Sequence, residues 1–389
     1  MVSEENDKII HEIIEPSDFD HIVVDSFLNG NSAADTAAYH FFARSQMPEG
    51  TAAKNGLSPS FTEIAEFSPE KCTACFKCIS LCPDSAIKAK VIPESEIGFF
   101  VEEFANEIID GKALHRLFIK DKIPPAVKGK ENGKLIIAVD PDKCKGCSVC
   151  SDICKDGAFS LKKRAGKNTE EKISLFKFFE TLPETEKFYI GDKDILRISL
   201  LNESFLFTGG TNSCAGCTEQ IAVKNLLNIT GYLYGKESIG IVNALRCSHH
   251  YTCDYPFNPF MVPCINTSTI HALPLAQGLR ARWDRAGCDD KKLWILANEE
   301  IWNMIDNPGE MPYKGISGIK IFIINRKIYS GNERDKINNK LESNRKIFYR
   351  NISLNDPEIL YKEIRSANEF SGPVIIETGC NCPDTVRTD

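Results

Sequence analysis

The chain has 389 residues, 42% of them hydrophobic, which is enough for two or three domains with buried cores. Its 47 Lys and Arg stand against 54 Asp and Glu, and the net charge of −7 is spread without long single-sign runs, so no basic footprint for nucleic acid is present. No stretch approaches the roughly 20 apolar residues of a membrane span, and Met1-Val2-Ser3-Glu4-Glu5-Asn6-Asp7 is too acidic for a signal peptide, so a cytoplasmic protein is expected.

Residues 1–66 carry no cysteine and read as a lead-in segment, in which Ile9, Ile10, Ile13 and Ile14 form a short apolar stripe expected to dock as a helix on its own protein. The 16 cysteines of a chain expected in reducing surroundings argue for metal or cluster ligation rather than disulfides. Residues 67–165 hold two cysteine groups, Cys72, Cys75, Cys78 and Cys82 followed by Pro83, and Cys144, Cys147, Cys150 and Cys154. Between them lies an apolar and acidic insertion, Glu94 to Lys122, which ends at Pro124-Pro125 and is expected to loop out.

Both groups have the spacing C-x2-C-x2-C-x3-C, and the trailing proline of the first is that of bacterial two-cluster ferredoxins. Lys155 stands where the second group would carry its own proline. Three thiolates at this pitch lie on a tight turn around one face of an iron-sulfur cube, while the fourth points toward the neighbouring cube. Ligation is therefore expected to cross, with Cys72, Cys75, Cys78 and Cys154 on one 4Fe-4S cluster and Cys144, Cys147, Cys150 and Cys82 on the other. Zinc also takes four thiolates, but usually from two separated CxxC pairs. The fold expected here is an α+β ferredoxin-like two-cluster domain.

Residues 166–200, rich in Lys, Glu and Phe, read as a linker with some helix and no motif. From 201 to 389 the pattern changes to short apolar runs, Ile239 to Val242, Leu293 to Leu296, Ile319 to Ile324 and Val374 to Ile376, alternating with helical stretches such as Ile359 to Phe370. This alternation predicts an α/β domain with a mainly parallel sheet. Within it lie Cys214-Ala215-Gly216-Cys217 and Asn243-Ala244-Leu245-Arg246-Cys247-Ser248. On spacing alone, a CxxC with one distant cysteine is compatible with zinc, a redox dithiol or coincidence.

Together these two islands resemble the thiamine-diphosphate domain of pyruvate:ferredoxin (flavodoxin) oxidoreductase, which in that family follows directly on a two-cluster ferredoxin domain. The resemblance takes in Pro48-Glu49-Gly50-Thr51-Ala52-Ala53 and Ser371-Gly372-Pro373-Val374-Ile375-Ile376, so it reaches over roughly residues 45–389, the C-terminal part of that enzyme. It implies a third 4Fe-4S cluster held by Cys214, Cys217, Cys247 and either Cys380 or Cys382, with Cys382, before Pro383, the favoured one. Cys253, Cys264 and Cys288 are then spare and expected to be small buried hydrophobes. His249 and His250 fall where the family lines its pocket and read first as packing or hydrogen-bonding residues.

The family marks its thiamine-diphosphate and magnesium site with Gly-Asp-Gly and a later hydroxyl or amide ligand. Here Leu293-Trp294-Ile295-Leu296 runs into Ala297-Asn298-Glu299-Glu300, Arg326 takes the later ligand position, and the following turn is reduced to Tyr329-Ser330-Gly331-Asn332-Glu333. Glu299 and Arg326 are expected to pair across a degenerate site that no longer binds cofactor. The resemblance does not reach the family's N-terminal domain with the glutamate that activates the thiamine ring, so other subunits are expected to supply it. Two functions stay open. One is an iron-sulfur component of a 2-oxoacid (pyruvate):ferredoxin oxidoreductase-type complex, passing electrons through three clusters to ferredoxin or flavodoxin. The other is an electron-transfer module that has lost thiamine diphosphate and serves another redox enzyme.

Overall fold

A computed structural model describes residues 18–31, 48–56, 60–105, 114, 117–191, 195–201, 205–245, 247, 255–305, 318–325 and 346–379. The isoleucine stripe at 9–14 lies outside them. In the lead-in segment a short helix, α1 (Asp25–Leu28), follows a helical turn whose Val23 and Val24 pack with Phe19, Ala52 and Phe257.

The two cysteine runs sit between strands that exchange partners. β1 (Glu63–Phe67) precedes the first run, which contains α2 (Lys77–Ser80), and β2 (Ile87–Pro93) follows it. β4 (Gly133–Val139) precedes the second run, which contains α4 (Val149–Ile153), and β5 (Phe159–Lys163) follows it. β1 pairs antiparallel with β5, and β2 with β4, so the strand entering one run is bonded to the strand leaving the other. Equivalent backbone bonds repeat this swap, from Ser68 N to Ala158 O at 2.8 Å and from Asp140 N to Ala86 O at 2.7 Å.

The described part of the insertion does not loop out. It forms α3 (Ile97–Ala105) and β3 (Phe118–Ile123), and β3 joins the free edge of β4 to complete a three-stranded sheet. Ile97, Val101 and Phe104 recur at helical spacing, and leaving such a face in water would forfeit about 25 cal/mol for every Å² of apolar surface. They bury instead against Ile92, Phe118 and Ile136, and α5 (Gly166–Thr181) closes this core with Phe176, Phe178 and Phe179. The motif-free stretch after residue 165 thus contributes packed apolar surface.

The remaining chain builds a six-stranded sheet in the order β10-β11-β9-β8-β6-β7, every pair parallel. Its strands are β6 (Ile239–Ala244), β7 (Cys264–Asn266), β8 (Lys292–Ala297), β9 (Ile319–Asn325), β10 (Phe348–Ile352) and β11 (Val374–Gly379). Alternate residues serve opposite faces. Ile239, Ile241, Trp294, Leu296, Phe322 and Val374 pack under α6 (Thr218–Tyr234) and α8 (Pro357–Glu369). Val242, Leu293, Ile295, Ile319, Ile321 and Ile375 face α7 (Thr269–Arg285) on the other side. Burial on both faces explains the continuous apolar runs of the sequence. α8 starts where Asp356 caps it, its carboxylate accepting from Glu358 N and Ile359 N at 3.2 Å each, with Pro357 in the first turn.

The two units meet across a polar seam, and the segment around Thr51 clasps both. Thr51 Oγ1 donates to Pro256 O at 2.7 Å, while Lys143 Nζ donates to Ala53 O and Asn55 O at 2.6 Å each. Gly209 and Gly210 pass through the seam too tightly for a side chain, since a Cβ would strike Asp84 O and Ala52 O respectively, and Gly210 has φ +87°. Among the described residues no helix is long and apolar enough to cross a membrane.

Candidate metal centres

Each cysteine run adopts the same unusual backbone. In the first, Ala74 and Phe76 have φ of 56° each; in the second, Gly146 and Ser148, at the same positions, have φ of 62° and 66°. Left-handed conformations are uncommon for residues with a Cβ, and three of these four carry one. Alternating hands along a short stretch turn successive N–H groups to one side, making a concave nest for an anion of the kind found at iron-sulfur sites. In the CxxC run beginning at Cys214, Gly216 repeats the first of these positions with φ 78°.

The strand exchange sorts the thiols into two neighbourhoods. Burial is the largest influence on Cys72 and Cys78 and pushes both up, reinforced at Cys72 by Cys75 and Cys154, and at Cys78 by Cys72, Cys75, Cys150 and Cys154. Burial likewise pushes Cys82 up to about 12, with Cys147 and Cys144 adding to it, and raises Cys150, which faces Cys82, Cys144 and Cys147. A cavity lined by Cys82, Cys144, Cys147 and Cys150, with Pro83 and Ile87, lies at the second neighbourhood. Backbone N–H groups already point at sulfur, from Ala158 to Cys154 at 3.2 Å, Ala74 to Cys72 at 3.4 Å and Ala65 to Cys144 at 3.5 Å.

Among the described residues no three His, Cys, Asp or Glu side chains close on a single ion. A cube of iron and sulfide holds its four thiolates much further apart than one ion does. Soft sulfur donors in sets of four, N–H nests and apolar walls fit such a cube. No disulfide joins the described cysteines.

The third CxxC abuts the second neighbourhood. A Cβ placed on Gly216 would lie 3.6 Å from Cys147 Cβ and 3.7 Å from Val149 Cγ2. Cys217 is the N-cap residue of α6, and Cys247 lies in the turn beyond β6. Cys380, Cys382, Arg326, His249, His250 and Cys253 lie outside the described residues. Of the spare cysteines, Cys264 is buried in the sheet core, whereas Cys288 is half-buried and its thiol points to Ala286 O at 3.8 Å.

The order in which strands are added reverses between β6 and β8, since the chain steps from β6 outward to β7 and then returns to β6's other side. Crevices at such points are where open α/β sheets take ligands. Here β8 ends on Asn298, whose side chain accepts from Glu300 N at 3.3 Å and so starts a 3-10 helix, Glu299–Met304, with Glu299 half-buried in its first turn. An amide engaged as a cap and a helical turn in place of a glycine loop do not fit a magnesium-bound diphosphate.

Several buried polar residues escape a reading of spacing and periodicity. Lys145 Nζ lies 2.9 Å from Asp84 Oδ1 with both side chains excluded from water, and it also donates to Ser213 O at 2.9 Å and Ser213 Oγ at 2.7 Å across the seam. Burial pushes the Asp84 carboxyl up while Lys145 pulls it down. On α6, Gln220, Lys224 and Asn228 recur at i, i+4 and i+8, a polar stripe in a helix buried nearly all round. That stripe is the one signal that could have revealed them. Asn225 Nδ2, beside it, donates to Ser80 O at 3.0 Å. Lys224 Nζ donates to Ile79 O at 2.8 Å and to Cys82 O; burial pulls it down to about 8 against the opposing influence of Cys82, Asp84 and Cys78.

No family model matches the chain. It is 32% identical over 206 residues to a probable pyruvate-flavodoxin oxidoreductase of Escherichia coli (strain K12), covering 51% of this chain and 15% of that protein. The pyruvate:ferredoxin oxidoreductase of Moorella thermoacetica is 26% identical over 229 residues, 56% of this chain and 17% of that one. The solved 2-oxoglutarate:ferredoxin oxidoreductase of Magnetococcus marinus overlaps 44% of this chain and 65% of its own, at a TM-score of 0.35 and 14% identity. Over about half its length, then, this chain resembles pyruvate-flavodoxin and pyruvate:ferredoxin oxidoreductases, and it spans only about 15% of the length of the first of those relatives.

Proposed function

We propose that the chain is the iron-sulfur electron-transfer component of a 2-oxoacid (pyruvate):ferredoxin oxidoreductase-type complex, carrying three 4Fe-4S clusters. One observation carries this reading: two cysteine runs of matching backbone lie between exchanged strands, so that Cys154 joins Cys72, Cys75 and Cys78 while Cys82 joins Cys144, Cys147 and Cys150. A bound cluster supplies one-electron transfer. The chain's own residues hold the sulfurs, aim N–H groups at them and keep water from the second neighbourhood.

Contacts at the seam support an order for the three proposed sites. Gly216 brings the third CxxC against Cys147, and Cys78 and Cys150 connect the second set to the first. In this reading electrons enter at the site of Cys214, Cys217 and Cys247, completed by Cys382 or Cys380, and leave from the set around Cys72 toward a ferredoxin or flavodoxin. Partner subunits supply the oxoacid site, and the chain works in the cytoplasm.

A second reading, an electron-transfer module for some other redox enzyme, is favoured by the capped turn at Asn298 where a diphosphate site would open. Oxygen-free purification with iron and sulfide analysis tests the first claim, which expects about twelve of each per chain for three cubes. A colourless protein, or one holding only zinc, overturns it. Calorimetry with thiamine diphosphate and magnesium, with and without co-purifying chains, separates the two readings; tight binding by the isolated chain rules out the second.

A further inference from the structure

The buried charges around the seam do not balance. Asp84 is matched by Lys145, at 2.9 Å. Lys224, fully buried on α6, has no carboxylate within ion-pair distance among the described residues; its ammonium contacts only the carbonyl oxygens of Ile79 and Cys82. Taking an ammonium out of water is expensive, by several kcal/mol even after relaxation, unless opposite charge lies close by. The titratable groups facing it are Cys82, Asp84 and Cys78. Cys78 and Cys82 belong to different four-thiol neighbourhoods, so the ammonium stands between the two sites. As neutral thiols they leave it only Asp84, which lies beyond ion-pair distance and is already matched by Lys145. As ligands of clusters, which are anionic when held by four thiolates, they supply the missing charge from both sides.

We propose that Lys224 is the shared counter-ion of the two clusters held by the first and second cysteine runs, a positioning residue that raises the reduction potential of both by stabilising the additional negative charge of the reduced state. The inference rests on the electron-carrier reading above and adds to it the residue that sets the level of the wire. Potentials of such clusters respond to net charge, hydrogen bonding and burial, and a cation in a dry interior acts on all neighbours within several Å with little screening. Lys224 lies seven residues after Cys217, the N-cap residue of α6, so the helix that begins at the third site also carries the charge toward the other two.

The test uses the full chain purified without oxygen, as wild type and as Lys224→Met, Lys224→Gln and Lys224→Arg. Iron and sulfide content are measured first, then midpoint potentials by EPR-monitored titration at equal iron content. The expected result is that a neutral variant retaining its iron shows two of three transitions displaced together to lower potential, while Lys224→Arg stays near wild type. Unchanged potentials, or displacement of one transition alone, overturn the proposal. If both neutral variants lose their clusters, Lys224→Arg decides: clusters retained at wild-type potentials support a required cation, and clusters lost there too show a packing role. A wild type without iron overturns the electron-carrier reading and this inference with it, and is told apart because it appears before any variant is compared.

Discussion

Replacing Asp84 by alanine removes one half of a pair whose side chains are 3% and 1% exposed and whose charged atoms lie 2.9 Å apart. Breaking a buried pair from one side typically costs about 3–5 kcal/mol, because the other charge stays behind without compensation. Two features place this case near the lower end. Lys145 keeps two acceptors, Ser213 O at 2.9 Å and Ser213 Oγ at 2.7 Å, each worth about 1 kcal/mol. Burial also pushes the Asp84 carboxyl up, so part of its attraction for Lys145 is already spent on desolvation. Asp84→Ala should therefore lose about 3 kcal/mol, and adding Lys145→Met should restore most of it by removing the stranded cation. Urea unfolding of the wild type, both single variants and the double variant closes the cycle, and hydrogen exchange over 209–220 should rise in Asp84→Ala because Lys145 ties that loop to the seam. A loss below about 1 kcal/mol, or a double variant no more stable than Asp84→Ala, refutes the electrostatic account.

Cys154→Ser should remove roughly one third of the iron and spare the cluster of the second run; loss from that second cluster instead would disprove the crossed sets. Gly146→Ala forces a Cβ to 2.7 Å from Glu63 O at φ +62°, so it should destabilise the second run by on the order of 1–3 kcal/mol, read by thermal melts against Gly157→Ala, whose Cβ meets nothing within 4 Å at a nearly equal φ of +63°. Lys320 is buried in β9 with Nζ on Ala367 O at 2.7 Å and Phe370 O at 3.2 Å, and burial, with Lys292 adding, pulls it down to about 7. The native state thus sheds this proton near pH 7, while the unfolded chain holds it to the ordinary lysine range. Stability from this group is therefore present at alkaline pH and lost as pH falls through about 7, by on the order of 3 kcal/mol between pH 9.5 and 7. Lys320→Met should lack this slope in denaturation curves at the two pH values, and parallel curves would contradict the reasoning.

What the sequence made legible follows from where the information is local. The pitch of Cys72 to Cys82 and of Cys144 to Cys154 is a property of a few adjacent residues, and the buried strands β6, β8, β9 and β11 announce themselves because both faces are covered. β7 escaped because it has three residues, and β10 because only two of its five are buried. The insertion was misread because the core around Ile97, Val101 and Phe104 is completed by β4 and α5, far along the chain, and apolar spacing shows a face without showing what covers it. Lys224 and Gln220 showed only as a polar stripe, and a charge on a helix ordinarily marks the solvent side, so the stripe alone pointed away from a buried role. The site at the end of β8 was half visible: the missing glycines were plain, but that Asn298 caps a helical turn needed the fold.

The polar character of the seam has a physical consequence that apolar packing would not give. Greasy surfaces tolerate small slides, because neighbouring registers bury similar areas. Lys224 meets the carbonyls of Ile79 and Cys82, Asn225 that of Ser80, and Lys145 meets Asp84 and Ser213, so a slip along α6 by one residue, about 1.5 Å, would strand several buried groups at about 1–3 kcal/mol each. A Cβ built on Gly216 would lie 3.6 Å from Cys147 Cβ, so the third cysteine run packs against the second, and under the electron-carrier proposal tunnelling, which falls off exponentially with separation, depends on that gap. The hydrogen bonds that fix the register therefore also fix the gap. If the seam exists for that gap, Asn225→Leu, which keeps the bulk of α6 but frees Ser80 O, should slow electron passage between the third site and the second more than it lowers the melting temperature.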